Sequence, residues 1–166
     1  MSNTNIEYSH DNTGKVPQGS IGASATQRQW IGLSLSGDSV TVEPFPQPPP
    51  YLESIDIEIG FMKRGLEIAE AFSADEMAQN FLRGFSGTVF ATGEILLFEF
   101  HGQTLKATVK GVQVVELPNQ RSMGNTFGVI MEKTDVTFMK DPSSALKLKS
   151  SAKKYPWSLH STMHSP

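Results

Sequence analysis

Side chains able to do chemistry are few in this chain, and their spacing says more than their number. Four histidines are present, His10, His101, His160 and His164. His160 and His164 have the i, i+4 spacing of a helical metal pair, but no third ligand and no credible helix accompany them, so a chance pair is the simpler reading. Asp56 and Glu58 stand two apart, as paired catalytic carboxylates would on one strand face. The same spacing makes an ordinary solvated face, which is the reading preferred here. There is no Gly-x-x-x-x-Gly-Lys-Ser/Thr loop, no Gly-x-Gly-x-x-Gly after a strand and no Gly-x-Ser-x-Gly elbow. The absence of cysteine removes disulfides, thiolate nucleophiles and sulfur-ligated metals, and suits a reducing compartment. What remains is recognition by cations: Arg28, two residues before Trp30, and Lys63-Arg64, which follow an apolar strand.

The elements that position these cations fall on either side of Pro44-Phe45-Pro46-Gln47-Pro48-Pro49-Pro50. Proline removes backbone donors and fixes φ, so this run is a stiff connector and a domain boundary. The expected organisation is a polar N-terminus over 1–15, a first unit over 16–45, a linker over 46–50, a second unit over 51–150 and a basic tail over 151–166. In the first unit Ser20 to Ser24 reads as a strand. Thr26 to Leu33 reads as a short helix, with Thr26 as N-cap and Trp30 and Leu33 on one face. Gly37-Asp38 turns the chain into an alternating strand at Val40-Thr41-Val42. Three such elements bury no core of their own, so this unit must lean on something else.

The second unit is better specified. Ser54 to Phe61 alternates, with Ile55, Ile57, Ile59 and Phe61 on one face and Asp56 and Glu58 on the other, the pattern of a half-buried strand. Ser73-Ala74-Asp75-Glu76 reads as a capping box opening a helix that aligns Met77, Phe81, Leu82 and Phe85, with Gly84 and Gly87 at its frayed end. Ile95 to Phe100 and Leu105 to Lys110 form a hairpin across His101-Gly102-Gln103, extended by Val112 to Leu117 after a bulge or bend at Gly111. Val129 to Glu132 and Val136 to Met139 read as a final hairpin. The expected class is α+β. From Lys140 onward, Lys140, Lys147, Lys149, Lys153 and Lys154 face only Asp141, a charge run read as a solvated linker. No apolar run approaches the roughly 20 residues of a membrane span, the N-terminus has no signal-peptide pattern, and a cytoplasmic location is expected. A formal net charge of −3 argues against a global attraction to nucleic acid or acidic membrane.

Gly19 to Phe45, with Gln27-Arg28-Gln29-Trp30-Ile31-Gly32-Leu33 at its centre, is followed in order by Tyr51 to Phe61, Asp75 to Phe81, Leu97-Phe98-Glu99-Phe100-His101-Gly102, Val112 to Leu117 and Leu146 to Ser151. This colinear set, over about residues 16 to 151, resembles the N-terminal domain of the N-ethylmaleimide-sensitive fusion factor (NSF) family of vesicular-fusion AAA ATPases, its fungal members more than its animal ones. The resemblance implies an incomplete double-psi β-barrel subdomain followed by a small α/β roll. It implies an adaptor-binding module that grips the soluble attachment protein (SNAP) on a SNARE complex, in SNARE disassembly and vesicle-mediated transport at Golgi- and ER-derived membranes. Arg28 matches the family's Arg before Trp, and Lys63-Arg64 sit where a basic pair follows the Ile-x-Ile-x-Phe strand. These three residues are the implied SNAP contacts, along a groove between the two parts. Gln29 departs from the second basic residue of animal members, which implies a weaker patch. No catalytic, cofactor or metal residues are expected. ATP and Mg belong to ATPase modules, which this sequence lacks and through which the family forms hexamers. Relative to the family the sequence reads as truncated at both ends, so exposed apolar edges are expected along Ser20 to Ser24 and Val40 to Val42. The alternative is a truncated gene product with only a structural or competitor role.

Overall fold

A computed structural model describes residues 13–149, apart from residues 36, 46, 119–123 and 125. The elements in chain order are α1 (Ala25–Ile31), β1 (Leu52–Phe61), β2 (Phe72–Ser73), α2 (Ala74–Phe85), β3 (Val89–Ala91), β4 (Ile95–Phe100), β5 (Gln103–Val114), β6 (Phe127–Val129), β7 (Asp135–Lys140) and β8 (Leu148–Lys149). The expected α+β class is borne out. His10, His160, His164 and the tail over 151–166 lie outside the described residues.

The alternating run of β1 makes it the central strand. Ile55, Ile57 and Ile59 are fully buried, while Asp56 on the other face is exposed. β1 pairs antiparallel with β5 and parallel with β7, and β4 completes a four-stranded sheet in the order β4-β5-β1-β7. The β4–β5 hairpin turns at His101 and Gly102, whose φ values of 49° and 71° give the two left-handed residues that match a right-handed strand twist. The bulge expected at Gly111 falls one residue earlier. Asp56 pairs with Gly111 and Ile57 with Val109, so Lys110 is the extra residue. The strand expected to run on to Leu117 ends at Val114. Its ladder runs out because β1 is preceded by Pro48-Pro49-Pro50, which offer no backbone N–H.

α2 lies on the buried face of the sheet. Ser73 is its N-cap, the hydroxyl accepting from the Glu76 amide at 3.3 Å. The reciprocal half of the expected box is replaced: Glu76 Oε1 lies 2.8 Å from His101 Nε2 and ties α2 to the hairpin turn. Met77 and Phe81 are fully buried, and the Phe81 ring meets Phe90, Phe98 and Phe138 at centroid distances of 5.5, 5.6 and 5.8 Å. Such aromatic contacts add to the area buried.

Three expectations are corrected. Val129–Glu132 and Val136–Met139 do not form a hairpin: β6 pairs with β3, whereas β7 crosses to pair with β1. Thr134 directs this crossing. Its buried hydroxyl accepts from the Met131 amide and donates to the Leu52 carbonyl, both at 2.8 Å. Residues 140–149 are not a solvated linker, because Leu146 is fully buried and β8 pairs with β2. The charge run hid an alternation in which Leu146 and Leu148 carry the apolar side. Finally, Ser20–Ser24 and Val40–Val42 form no strand among the described residues, so the expected partial barrel has only α1 as a regular element there. Their apolar side chains are open, as expected: Ile21, Val40 and Val42 are each about half exposed.

Candidate partner-binding surface

The N-cap of α1 is Ser24, two residues before the expected Thr26. The Ser24 hydroxyl accepts from the Gln27 amide at 3.2 Å, and the Gln27 side chain accepts from the Ser24 amide at 2.8 Å. Gly32, with φ 71°, closes the helix in the left-handed conformation, so Leu33 lies beyond it. No residue of α1 is fully buried. The helix rests against β4, and half-buried Trp30 stands over Gly93 in the turn before that strand, its Nε1 3.6 Å from where a Cβ on Gly93 would stand. Trp30 is thus the anchor of the Arg28 helix. A second anchor holds the end of this segment, where the Phe45 ring meets the edge of Phe127 at 5.0 Å.

Arg28 is half-buried rather than fully exposed. Its Nη1 donates to the Ala23 carbonyl at 2.6 Å, which fixes the guanidinium and leaves its other donors for a partner. Lys63 and Arg64 are exposed in the turn that leaves β1, where the Leu66 amide donates to the Lys63 carbonyl at 3.4 Å. Neither side chain has an ion pair among the described residues.

The structure does not gather these cations into one cluster. Met62 donates its amide to Thr104, at the start of β5, while Gly93 beneath Trp30 donates to Val109. Five residues of strand separate those two points, roughly 17 Å. Arg28 therefore stands toward one end of the sheet and Lys63-Arg64 toward the other.

Some charged residues elsewhere are engaged within the fold. Glu58 pairs with Lys110 at 3.8 Å, in keeping with a structural strand face rather than a catalytic dyad. The Ser143 hydroxyl and amide both donate to Asp141 at 2.8 Å and hold its carboxyl below the usual range, with Lys106 and Lys110 adding attraction. Lys106 sits opposite Gly60 of β1, a cation that sequence reading did not single out. The strand alternation that turns Glu58 away from the core could have found it. Among the described residues no group of three or more His, Asp or Glu is placed to hold a metal, and no helix is long and apolar enough to cross a membrane.

A domain family described as Cell division protein 48 (CDC48), domain 2, matches residues 71–145, from just before β2 to the turn after β7. Two curated fungal proteins match more of the chain. Vesicular-fusion protein sec18 of Schizosaccharomyces pombe is 33% identical over 145 residues, 81% of this chain and 18% of that protein. Vesicular-fusion protein SEC18 of Saccharomyces cerevisiae is 30% identical over 146 residues, 82% of this chain and 19% of that protein. The chain thus spans about a fifth of the length of these relatives, and the match covers their N-terminal domain region rather than their ATPase modules. On the matched domain and the likeness across four-fifths of its residues, the chain is an NSF-like N-terminal domain of the vesicular-fusion type.

Proposed function

We propose that this domain is an adaptor-binding module that grips SNAP and, through it, SNARE complexes, and that it serves SNARE disassembly in vesicle-mediated transport. The observation that carries the reading is the likeness to the two vesicular-fusion proteins across four-fifths of the chain. The open cations support it. Lys63 and Arg64 project from the turn after β1 with no ion pair among the described residues, and Arg28 is held by a capped, anchored helix. Such groups steer an acidic partner and set its register, with affinity that falls as salt rises. The domain itself uses no nucleotide; ATP and Mg are the business of ATPase modules elsewhere in the family. Its work is done in the cytoplasm, against vesicle membranes reached through the adaptor.

The test is a pull-down of purified SNAP by the chain at low and high salt. Binding is expected to weaken with salt, and Arg28→Glu combined with Lys63→Glu and Arg64→Glu is expected to abolish it. Undiminished capture by the triple variant removes the proposed site, and no capture by the wild type removes the reading.

A further inference from the structure

The turn that carries Lys63 and Arg64 sets its own shape but not its own position. Gly65, at φ 72°, takes the left-handed third place, and the Leu66 amide closes the turn on the Lys63 carbonyl at 3.4 Å. Where the turn stands is decided just before it, by what the amides of Phe61 and Met62 meet. Met62 donates to the Thr104 carbonyl of β5 at 3.1 Å. On its other side β1 runs parallel to β7, and the Asp141 amide donates to the Ile59 carbonyl at 2.9 Å. The next bond of a parallel ladder would run from the Phe61 amide to the Asp141 carbonyl. That carbonyl instead accepts from the Ser144 amide at 3.0 Å, across a turn with Pro142 at its second position. The Ser144 hydroxyl takes its place and accepts from the Phe61 amide at 3.0 Å. A side chain thus supplies the last rung beside the cations.

The sequence makes room for this rung. Gly60 does not adopt the left-handed conformation, so space rather than backbone freedom requires glycine there. A Cβ on Gly60 would stand 3.0 Å from the Ser144 Cβ and 3.1 Å from the Asp141 Cβ, so the turn over 141–144 would have to shift. That turn is fixed from within by the Asp141 carboxylate, which accepts from the Ser143 amide and hydroxyl. It is fixed from beyond by fully buried Leu146, whose amide donates to Ser144 Oγ at 3.3 Å. We infer that Ser144, seated on Gly60, is a positioning residue for the cationic turn and sets where Lys63 and Arg64 stand when a partner meets them. That the partner is SNAP rests on the reading above; the hold on the turn does not.

The test uses the full chain and two readouts. The first is limited trypsin cleavage, mapped by mass spectrometry. Ser144→Ala leaves the Phe61 amide unpaired, and cleavage after Lys63 and Arg64 is expected to rise about tenfold. Cleavage after Lys106 and Lys110, inside β5, reports opening of the whole sheet and is expected to rise much less. Gly60→Ala pushes the same turn aside and is expected to give the same pattern, with the double variant no worse than either single one. Equal rises at all four sites, rises that multiply in the double variant, or no rise at Lys63 and Arg64 overturn the inference. The second readout is affinity for SNAP at low and high salt. Ser144→Ala removes no charge, so it is expected to weaken binding about fivefold with the salt dependence unchanged. Lys63→Glu with Arg64→Glu is expected to flatten that dependence. If SNAP binds Ser144→Ala as tightly as the wild type, the positioning role is wrong while the adaptor reading stands. If the wild type captures no SNAP and the cleavage pattern is as expected, the adaptor reading falls and the hold on the turn stands.

Discussion

Residues 51–149 and residues 13–45 obey different physics. The first hold every fully buried apolar side chain among the described residues, from Leu52 to Leu146, around one sheet and one helix. The second hold a helix with no buried residue and two runs outside any strand, and meet the rest of the molecule through Trp30 and Phe45. A body with a core carries the stability, and an arm without one is free to present side chains. The cations proposed to meet a partner divide along the same line, Arg28 on the arm and Lys63-Arg64 on a turn of the body.

The largest effect that would sharpen this contrast comes from the body. Phe81→Ala empties a site walled by Phe85, Phe90, Phe98 and Phe138, and is expected to cost about 3–5 kcal/mol in chemical denaturation. A loss as small as that of a surface substitution would deny that α2 organises the core. Next is Thr134→Val, which keeps the shape but strips the hydroxyl from the Leu52 carbonyl and the Met131 amide. Leaving these groups unpaired is expected to cost about 1–3 kcal/mol. Trp30→Ala belongs to the arm. It is expected to speed protease cleavage before Tyr51, leaving a fragment that begins near Tyr51, while the melting of the body hardly moves. If Trp30→Ala unfolds the whole chain, the division between arm and body is wrong.

The smallest effect is electrostatic. Asp141 has a carboxyl held below its unfolded value, so its contribution is present above about pH 4 and is lost as pH falls through the lower, folded value. At a solvent-screened site this amounts to less than about 1 kcal/mol. Asp141→Asn should therefore flatten slightly the loss of stability between pH 5 and pH 3, as read from urea midpoints. A steeper loss in the variant would contradict the assigned direction.

Legibility in the sequence follows the same division. Period-two alternation fixed by burial made β1 readable from Ile55, Ile57 and Ile59, and period-three-to-four spacing made α2 readable from Met77, Phe81 and Phe85. Local pattern cannot say which strands pair across the chain. That is why β7 looked like a hairpin partner of β6, when Thr134 sends it to β1, and why Leu146 looked like part of a charged tail. Residues 20–24 and 40–42 have strand-like composition, but a strand needs a ladder partner, and composition does not supply one. The candidate cations were legible only as types in a context. Their separation along β5 depends on register.

Hydrogen exchange on the chain, alone and with SNAP, tests the division of labour most directly. The account predicts slow exchange through β1, β5 and β7 in both states. It predicts exchange faster than that of β1 over residues 25–33 and 63–65 in the free chain, with protection gained at those two segments when SNAP is added. Protection of residues 20–24 and 40–42 equal to that of β1 in the free chain, or a SNAP footprint that spares both cationic segments, would contradict it.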